Sequence, residues 1–596
     1  HDRIVQGIAN NKTRSGERAI WELMQNARDF SEHAEILIRL TSKSFSFSHK
    51  GNNFTLDTLS RLIKQQSSKH HDEDQVSKHH DEDQVGQYGT GFMSTHTFST
   101  IVHIAGDVLV EHKGKKLYIP LPDDFCLNRS FDVKRAFTEE MDRELHIVEN
   151  DIPRRSGSED PHPYTTFTYE LTDEKFANKV SAQLDTTIKL MPYVIVFNDK
   201  IEQCKIKNEV SGNHVIYTRD SQEPILNTEK YVLMKYSILV STSKEPLQIF
   251  CLESSNHEDR IILPELPKGY DDTSNIPSQF LFFPLLGSEQ FGTNFILHSS
   301  RLYPVESRDS YQLPCDNNNV SKEYKHNEEV IDEMFDMLFT YYKEHEDRQC
   351  LPLDFADVNF VYNGNDQVTE EYYQKLQDKF SSEFIKWKMI PTDNGNLAID
   401  DDNQLVVLEH SIYASLNEEQ VAKYIPVISK YARRSKLIPN KNVLEWSQVV
   451  YHWRSGETRY YVNMKDICSS IKTIDSSLHT FLEFLITMGE EGKKMIELYD
   501  IIPNREGKLC CFGNLRDASF MDDRLYAICK PLLGSYADRL VKTDYNKLTT
   551  FTAYTLDDLK NEVKSKVEAV HKLTIDRLDE KNMPSPISLD ELEGSL

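Results

Sequence analysis

Apolar residues recur at helical spacing over 17–31, where Ile20, Leu23 or Met24, and Ala27 form one stripe, so this stretch predicts an amphipathic helix. Residues 35–48 alternate around a polar turn and predict two strands, and the helical period returns over 56–65. From about 101 to 171 the pattern predicts strands and turns. A helix over 172–191 is expected next, then a strand-like apolar run at 193–197. Residues 228–310 alternate strands and loops. From 322 onward helices dominate, with strand pieces near 385–408 and 499–512. The order predicts an α+β chain: an α/β domain over 1–172, a second α/β domain over 173–325, and a mixed, mainly helical region over 326–596. The tail after 583 reads as poorly ordered.

Two repetitions interrupt this pattern. The nonapeptide at 68–76 recurs unchanged at 77–85. It is too polar for a core and predicts a solvated loop; its His and Asp residues lack the fixed scaffold a metal site needs. Farther on, Pro391, Gly395 and Leu397 share their spacing with Pro503, Gly507 and Leu509. Proline followed by glycine between apolar runs predicts a tight hairpin, here either twice by chance or as a diverged structural repeat.

Composition narrows the classes. The chain has 596 residues, 39% of them hydrophobic, enough for several cores and against global disorder. No run is long and apolar enough to span a membrane, and no signal peptide opens the sequence, which begins on His1 rather than Met and so implies a processed or incomplete N-terminus. The formal charge of -26 argues against coating nucleic acid through bulk charge, although it leaves room for a local basic groove. The basic clusters at 113–116 and 430–436 are short and read as solvated faces. Nine cysteines without framework or metal spacing predict reduced thiols in a cytoplasmic protein.

Three polar pieces carry candidate chemistry. On the first helix, Glu22, Asn26 and Asp29 lie on one face. A carboxylate can activate water, and an amide oxygen can hold a hard cation such as magnesium. Gly86-Gln87-Tyr88-Gly89-Thr90-Gly91-Phe92 precedes a helical stretch, and glycine backbone at a helix start can approach phosphate. Between them, 47–55 holds His49, Gly51, Asn53 and Phe54 at a strand end. Each piece alone has an ordinary reading: a wet helix face, a turn, a loop.

In this order and spacing the first 170 or so residues resemble the GHKL, or Bergerat-fold, ATPases, which include large heat-shock chaperones, MutL, MORC proteins, type II topoisomerases and histidine kinases. The Glu22–Asp29 stretch looks like their N box, 86–92 like their second glycine box in its chaperone form, and 49–54 stands in place of the first. The resemblance implies a Bergerat α/β sandwich ATPase followed by a transducer domain. It implies ATP and Mg2+ as ligands, with Glu22 as general base, Asn26 on magnesium and Asp29 lining the pocket. Gly86, Gly89 and Gly91 would cradle phosphates, with Gln87, Tyr88, Thr90 and Phe92 in the same box. The lid would run over about 62–85, with Ser67, Ser68 and Lys69 at its start and Lys69 near a phosphate. Thr165 or Thr166 matches a threonine near the nucleotide. His49 departs from the family's usual Asp; a neutral imidazole can still accept a hydrogen bond from adenine. Asn53 and Phe54 also depart, and Phe54 could wall the base.

The second domain of chaperone- and MutL-like clamps sends a basic residue to the γ-phosphate. Arg301 and Arg308 are the candidates, and Arg308 is favoured because 282–309 resembles sacsin-like ATP-binding proteins, as does the Ile-Pro-Asn phrase at 502–504. The resemblance implies a clamp that dimerises on ATP or assembles with an effector protein and acts on protein partners, in the manner of chaperones or of bacterial antiviral-defence ATPases. A MutL- or MORC-like DNA clamp and an ATP-binding pseudoenzyme are the alternatives. The acidic doubled nonapeptide would oppose phosphate binding unless magnesium, Lys69 and the arginine offset it.

Overall fold

The computed structural model describes residues 16–64, 91–112, 114–131, 133–264, 276–305, 307–315, 322–345, 353–400, 404–453 and 458–579. The doubled nonapeptide and the tail after 583 lie outside them. Contacts divide the chain into two compact units, His1–Asp347 with Asp354–Gln377, and Arg348–Leu353 with Asp378–Leu596.

The first unit is built on helices α1 (Gly16–Asp29), α2 (Leu56–Lys64), α3 (Gly91–Thr95), α4 (Lys134–His146), α5 (Glu174–Phe197) and α6 (Lys322–Glu344). Its strands are β1 (Ala34–Leu40), β2 (Ser44–Lys50), β3 (Phe54–Thr55), β4 (Ile101–Ala105), β5 (Asp107–His112), β6 (Lys115–Pro120), β7 (Cys126–Asn128) and β8 (Thr165–Glu170). They continue as β9 (Ile201–Asn208), β10 (His214–Asn227), β11 (Tyr231–Val240), β12 (Leu247–Ser254), β13 (Asp259–Ile262), β14 (Gln279–Leu281), β15 (Phe283–Pro284) and β16 (Ile296–Ser299). The architecture is α+β around one mixed sheet of thirteen strands, ordered β15-β14-β16-β13-β12-β11-β10-β9-β1-β2-β8-β4-β7. A small sheet β3-β5-β6 lies beside it in sequence.

Alternation explains the strands nearest the site. Ile36, Ile38 and Leu40 of β1 are buried while Leu37 and Arg39 face out. Phe45 and Phe47 of β2 turn to the same core as Ala19, Ile20, Leu23, Met24 and Ala27 of α1. Phe45 stacks on Phe98 at 4.4 Å. The sheet does not stop where the first 170 residues end. Strand β1 pairs antiparallel with β2 on one side and parallel with β9 on the other, from Ala34↔Ile201 to Leu40↔Asn208.

Two expectations need correction. The run 193–197 is the last turn of α5, not a strand. Tyr193, Val194, Ile195, Val196 and Phe197 are all buried, and a helix enclosed on every side has the continuous apolar sequence of a buried strand. The end of α5 is closed by two arginines: Arg219 donates to the Asn198 carbonyl at 2.8 Å, and Arg260 to the Val196 carbonyl at 3.3 Å. The second correction is α4, which lies in the stretch read as strands and turns. Its face is charged, with Arg135 on Glu139 and Arg143 on Glu140, so its apolar period is faint. It is anchored by an ion pair between Glu144 and Arg129 at 2.8 Å, both enclosed.

In the second unit, the two Pro…Gly…Leu phrases form hairpins. Ile390 pairs with Leu397 and Ile502 with Cys510. Gly395 at φ +94 and Gly507 at φ +76 occupy the left-handed region the turns require. The surroundings match as well. A strand after each hairpin pairs in parallel with a later one, Val407–Leu408 with Tyr461–Val462 and Arg516–Asp517 with Thr552–Ala553. A bridging segment links Leu405 to Leu437 in one case and Arg516 to Leu540 in the other. It returns to the hairpin through Asn440 N–H on the Pro391 carbonyl and Lys542 N–H on the Pro503 carbonyl, each at 3.0 Å. The second unit thus runs one topology twice. Its basic stretch at 430–436 is tied down internally, since Lys430 and Arg434 both reach Asp475, at 3.2 and 2.6 Å. Burial raises the Asp475 pKa, but hydrogen bonds from Tyr431, the Ser477 backbone, Lys430 and Arg434 outweigh it and pull the value down to about 2.

Candidate functional site

The polar face of α1 is not a wet face. Glu22 is 7% exposed, Gln25 and Arg28 4% each. What covers it is the chain between 281 and 309, from the far end of the same sheet. The Arg28 guanidinium lies 3.9 Å over the Phe282 ring, and the Trp21 ring meets Phe283 at 6.2 Å. Arg308 donates to the Gln25 side-chain oxygen at 2.6 Å. Arg18 donates to the Ser307 carbonyl and stands 3.7 Å from the Glu22 carboxylate, one turn along the helix.

These residues enclose a cleft of about 190 Å³. Arg18, Glu22, Gln25, Arg308 and Asp309 give it polar walls, and Trp21, Phe283 and their neighbours give it an apolar floor. Glu22 and Arg308 therefore line one cavity although 286 positions separate them in sequence. Arg301 is placed differently. It makes a two-pronged pair with Asp259 at 3.1 and 2.6 Å and reaches Glu333 at 2.8 Å.

Asn26 and Asp29 are half-buried on α1. Asp29 accepts from Arg28 at 3.1 Å, whereas the Asn26 amide makes no hydrogen bond among the described residues. The loop after β2 closes on the end of α1, with Asn52 N–H on the Phe30 carbonyl at 3.0 Å. Gly51 is required there, because a Cβ would stand 2.9 Å from the Ser31 Cβ.

A second group gathers around His49. In the antiparallel register of β2 and β8, His49 faces Thr165, and Ser48 faces Thr166 with their hydroxyls 2.9 Å apart. Phe167 stacks on His49 at 6.4 Å, Phe54 meets Phe167 edge-on at 6.3 Å, and Phe92 approaches it at 5.6 Å. Burial pushes the His49 pKa down to about 4, so the ring is neutral near pH 7. Its Nδ1 is enclosed and has no hydrogen-bond partner among the described residues. Gly106, at φ +145, brings its backbone against Thr165, where a Cβ would stand 3.2 Å from the hydroxyl. Gly91 and Phe92 open α3. Ser68, Lys69, Gly86, Gln87, Tyr88, Gly89 and Thr90 lie outside the described residues. The first residues of the expected lid are fixed by Arg129, which donates to the Ile63 carbonyl at 3.1 Å.

Sequence reasoning missed Gln25, Arg18, Trp21 and Gly106. Gln25 and Arg18 carried a usable signal, since they fall three and four residues from Glu22 on the same helix. Trp21 and Gly106 carried none.

The residues present fit a magnesium nucleotide. Among the described residues no cluster of three or more His, Cys, Asp or Glu could hold a metal alone. A lone amide oxygen suits magnesium, which takes most of its ligands from phosphate and water. The unpartnered ring nitrogen of His49 and the close Gly51 turn suit an aromatic base with hydrogen-bonding edges.

No protein-family model matches the sequence, and no curated protein matches it. Among solved structures, the B-subunit of the DNA gyrase from Myxococcus xanthus is similar at a TM-score of 0.26 and 7% identity, covering 56% of this chain and 95% of that one. The N-terminal domain of a DNA repair protein is similar at a TM-score of 0.24 and 10% identity, covering 57% of this chain and 99% of that one.

Proposed function

We propose that the chain is a magnesium-dependent ATPase of the GHKL kind, working as a conformational clamp on protein partners. The observation that carries this reading is the shared cleft of Glu22 and Arg308, because a buried carboxylate beside a guanidinium suits hydrolysis of a phosphoanhydride. Asn26 would hold magnesium, which when bound would supply positive charge against the phosphates. Glu22 orients the attacking water and accepts its proton. Asn26 offers its amide oxygen to the metal, and Arg308 supplies positive charge where negative charge develops. His49 accepts from the base through its neutral ring, with Phe167 stacked on it and Phe54 and Phe92 packed on Phe167. Asp29, Thr165 and the glycine box over 86–92 complete the binding surface.

Association of two chains or capture of an effector belongs to the same proposal. The tied-down Lys430 and Arg434 favour protein over nucleic acid as the thing moved. Calorimetry with ATP, ADP and GTP, followed by phosphate release, tests the reading. ATP binding that requires magnesium, with slow turnover, supports it. No binding of any nucleotide refutes it, and DNA binding that falls with salt in a gel shift would turn the clamp toward nucleic acid.

A further inference from the structure

Gln25 has no work in the scheme above, yet it is among the most enclosed polar residues of α1. Its side-chain oxygen is committed to Arg308 at 2.6 Å. Two turns earlier, Arg18 holds the carbonyl of Ser307. One helix face therefore grips two consecutive residues of a single loop.

That loop is strained where it is gripped. Arg308 has φ +54, a left-handed conformation that costs an arginine about 1 kcal/mol or more and lasts only where its surroundings impose it. The surroundings are specific. Arg308 N–H donates to the Val305 carbonyl at 2.8 Å and Val305 N–H to the Ser310 carbonyl at 3.0 Å. Gly287, at φ +126, lets Asp309 approach so closely that a Cβ would stand 3.0 Å from its own. The acceptor on α1 is also chemically particular. A carboxylate at position 25 would set a further negative charge against the guanidinium, whereas an amide orients it without adding one. Glu22 stands one turn away on the same face.

We propose that Gln25 is the positioning residue for Arg308: with Arg18 it fixes Ser307 and Arg308 on α1, and it aims the guanidinium into the cleft beside Glu22. The inference rests on the ATPase reading for one point only, that phosphate chemistry takes place in this cleft.

Two variants separate holding from charge. Gln25→Leu removes the acceptor. It is expected to speed amide hydrogen exchange over 305–311 in the full chain without nucleotide, and to lower kcat about 10- to 100-fold with little change in KM. Gln25→Glu keeps an acceptor but adds a negative charge against the guanidinium, so exchange should stay at the parent level while kcat falls. Adding Gln25→Leu to Arg308→Ala should cost nothing further, because Gln25 acts through Arg308. Parent kcat in Gln25→Leu, or additive losses in the double variant, overturns the inference and leaves the ATPase reading intact. If the unmodified chain hydrolyses no ATP while exchange still responds to Gln25→Leu, the loop-holding role stands and the ATPase reading fails.

Discussion

The two ends of α1 are built from opposite materials. At one end Glu22, Arg18 and Arg308 line a cleft, with Arg308 hydrogen-bonded to Gln25 and Arg18 3.7 Å from Glu22. At the other, beyond Asn26 and Asp29, the neighbourhood is aromatic, and His49 is neutral there, its Nδ1 without a hydrogen-bond partner among the described residues. Charge concentrated in a dry cavity acts strongly on a reacting group, so the first end is suited to chemistry. A neutral edge among rings discriminates by shape and single hydrogen bonds, so the second is suited to recognition.

The comparison is broken most directly at Glu22. Glu22→Ala should keep ATP binding by calorimetry and lose turnover by about 10²- to 10⁴-fold. Turnover at the parent rate would remove Glu22 from the chemistry. The arginines come next. Arg308→Ala should cost turnover by about 10²-fold. Arg301→Ala should leave turnover alone and lower the melting temperature instead, since Asp259, 6% exposed, would lose its partner.

The stability of the fold should respond to acid. Burial lowers the pKa of His49 and His96 from 6.5 to about 4, and that of His298 to about 3. These rings are neutral in the folded chain, and the unfolded chain takes up protons first as pH falls. Their support is thus complete above about pH 6.5, declines from there toward pH 4, and amounts to at most about 3 kcal/mol for His49. Urea titrations at pH 7.5, 5.5 and 4.5 read this decline, and His49→Gln should flatten part of it. Gly51→Ala should destabilise by about 1–3 kcal/mol in the same assay, because the Ser31 side chain has to give way. The smallest effect is expected of His49→Asp, which keeps an acceptor and should hold adenine as well as the parent or better. Collapse of ATP binding there would assign His49 another task.

Legibility in the sequence followed the range of the interactions. The α1 stripe and its Glu22, Asn26 and Asp29 were visible because helical spacing is local. Both second-unit hairpins were visible because Pro391 and Gly395, like Pro503 and Gly507, write a turn in four or five residues. The difference between Arg301 and Arg308 was not readable from their own neighbourhood, since it is decided by Asp259 and Glu333 in one case and Gln25 in the other. The last turn of α5 misled because Val194, Ile195 and Val196 are β-branched and enclosed, and burial on all sides erases the period that separates helix from strand. The neutral state of His49 depends on how deeply β2 and β8 bury it, which no motif encodes.

The parallel join of β1 to β9 has a mechanical consequence. Seven residues of β1, from Ala34 to Leu40, are laddered to β9, so the strand that leads from α1 is stitched to the strand that leads from α5. Swinging one half of this unit away from the other as a rigid lobe would unzip that ladder, at roughly 1 kcal/mol for each hydrogen bond exposed. Twisting or shearing of a single stiff plate is cheaper. If the chain works as the proposed clamp, its stroke is to be sought in what is fastened onto the plate, such as Ser307 and Arg308, rather than in a hinge through it.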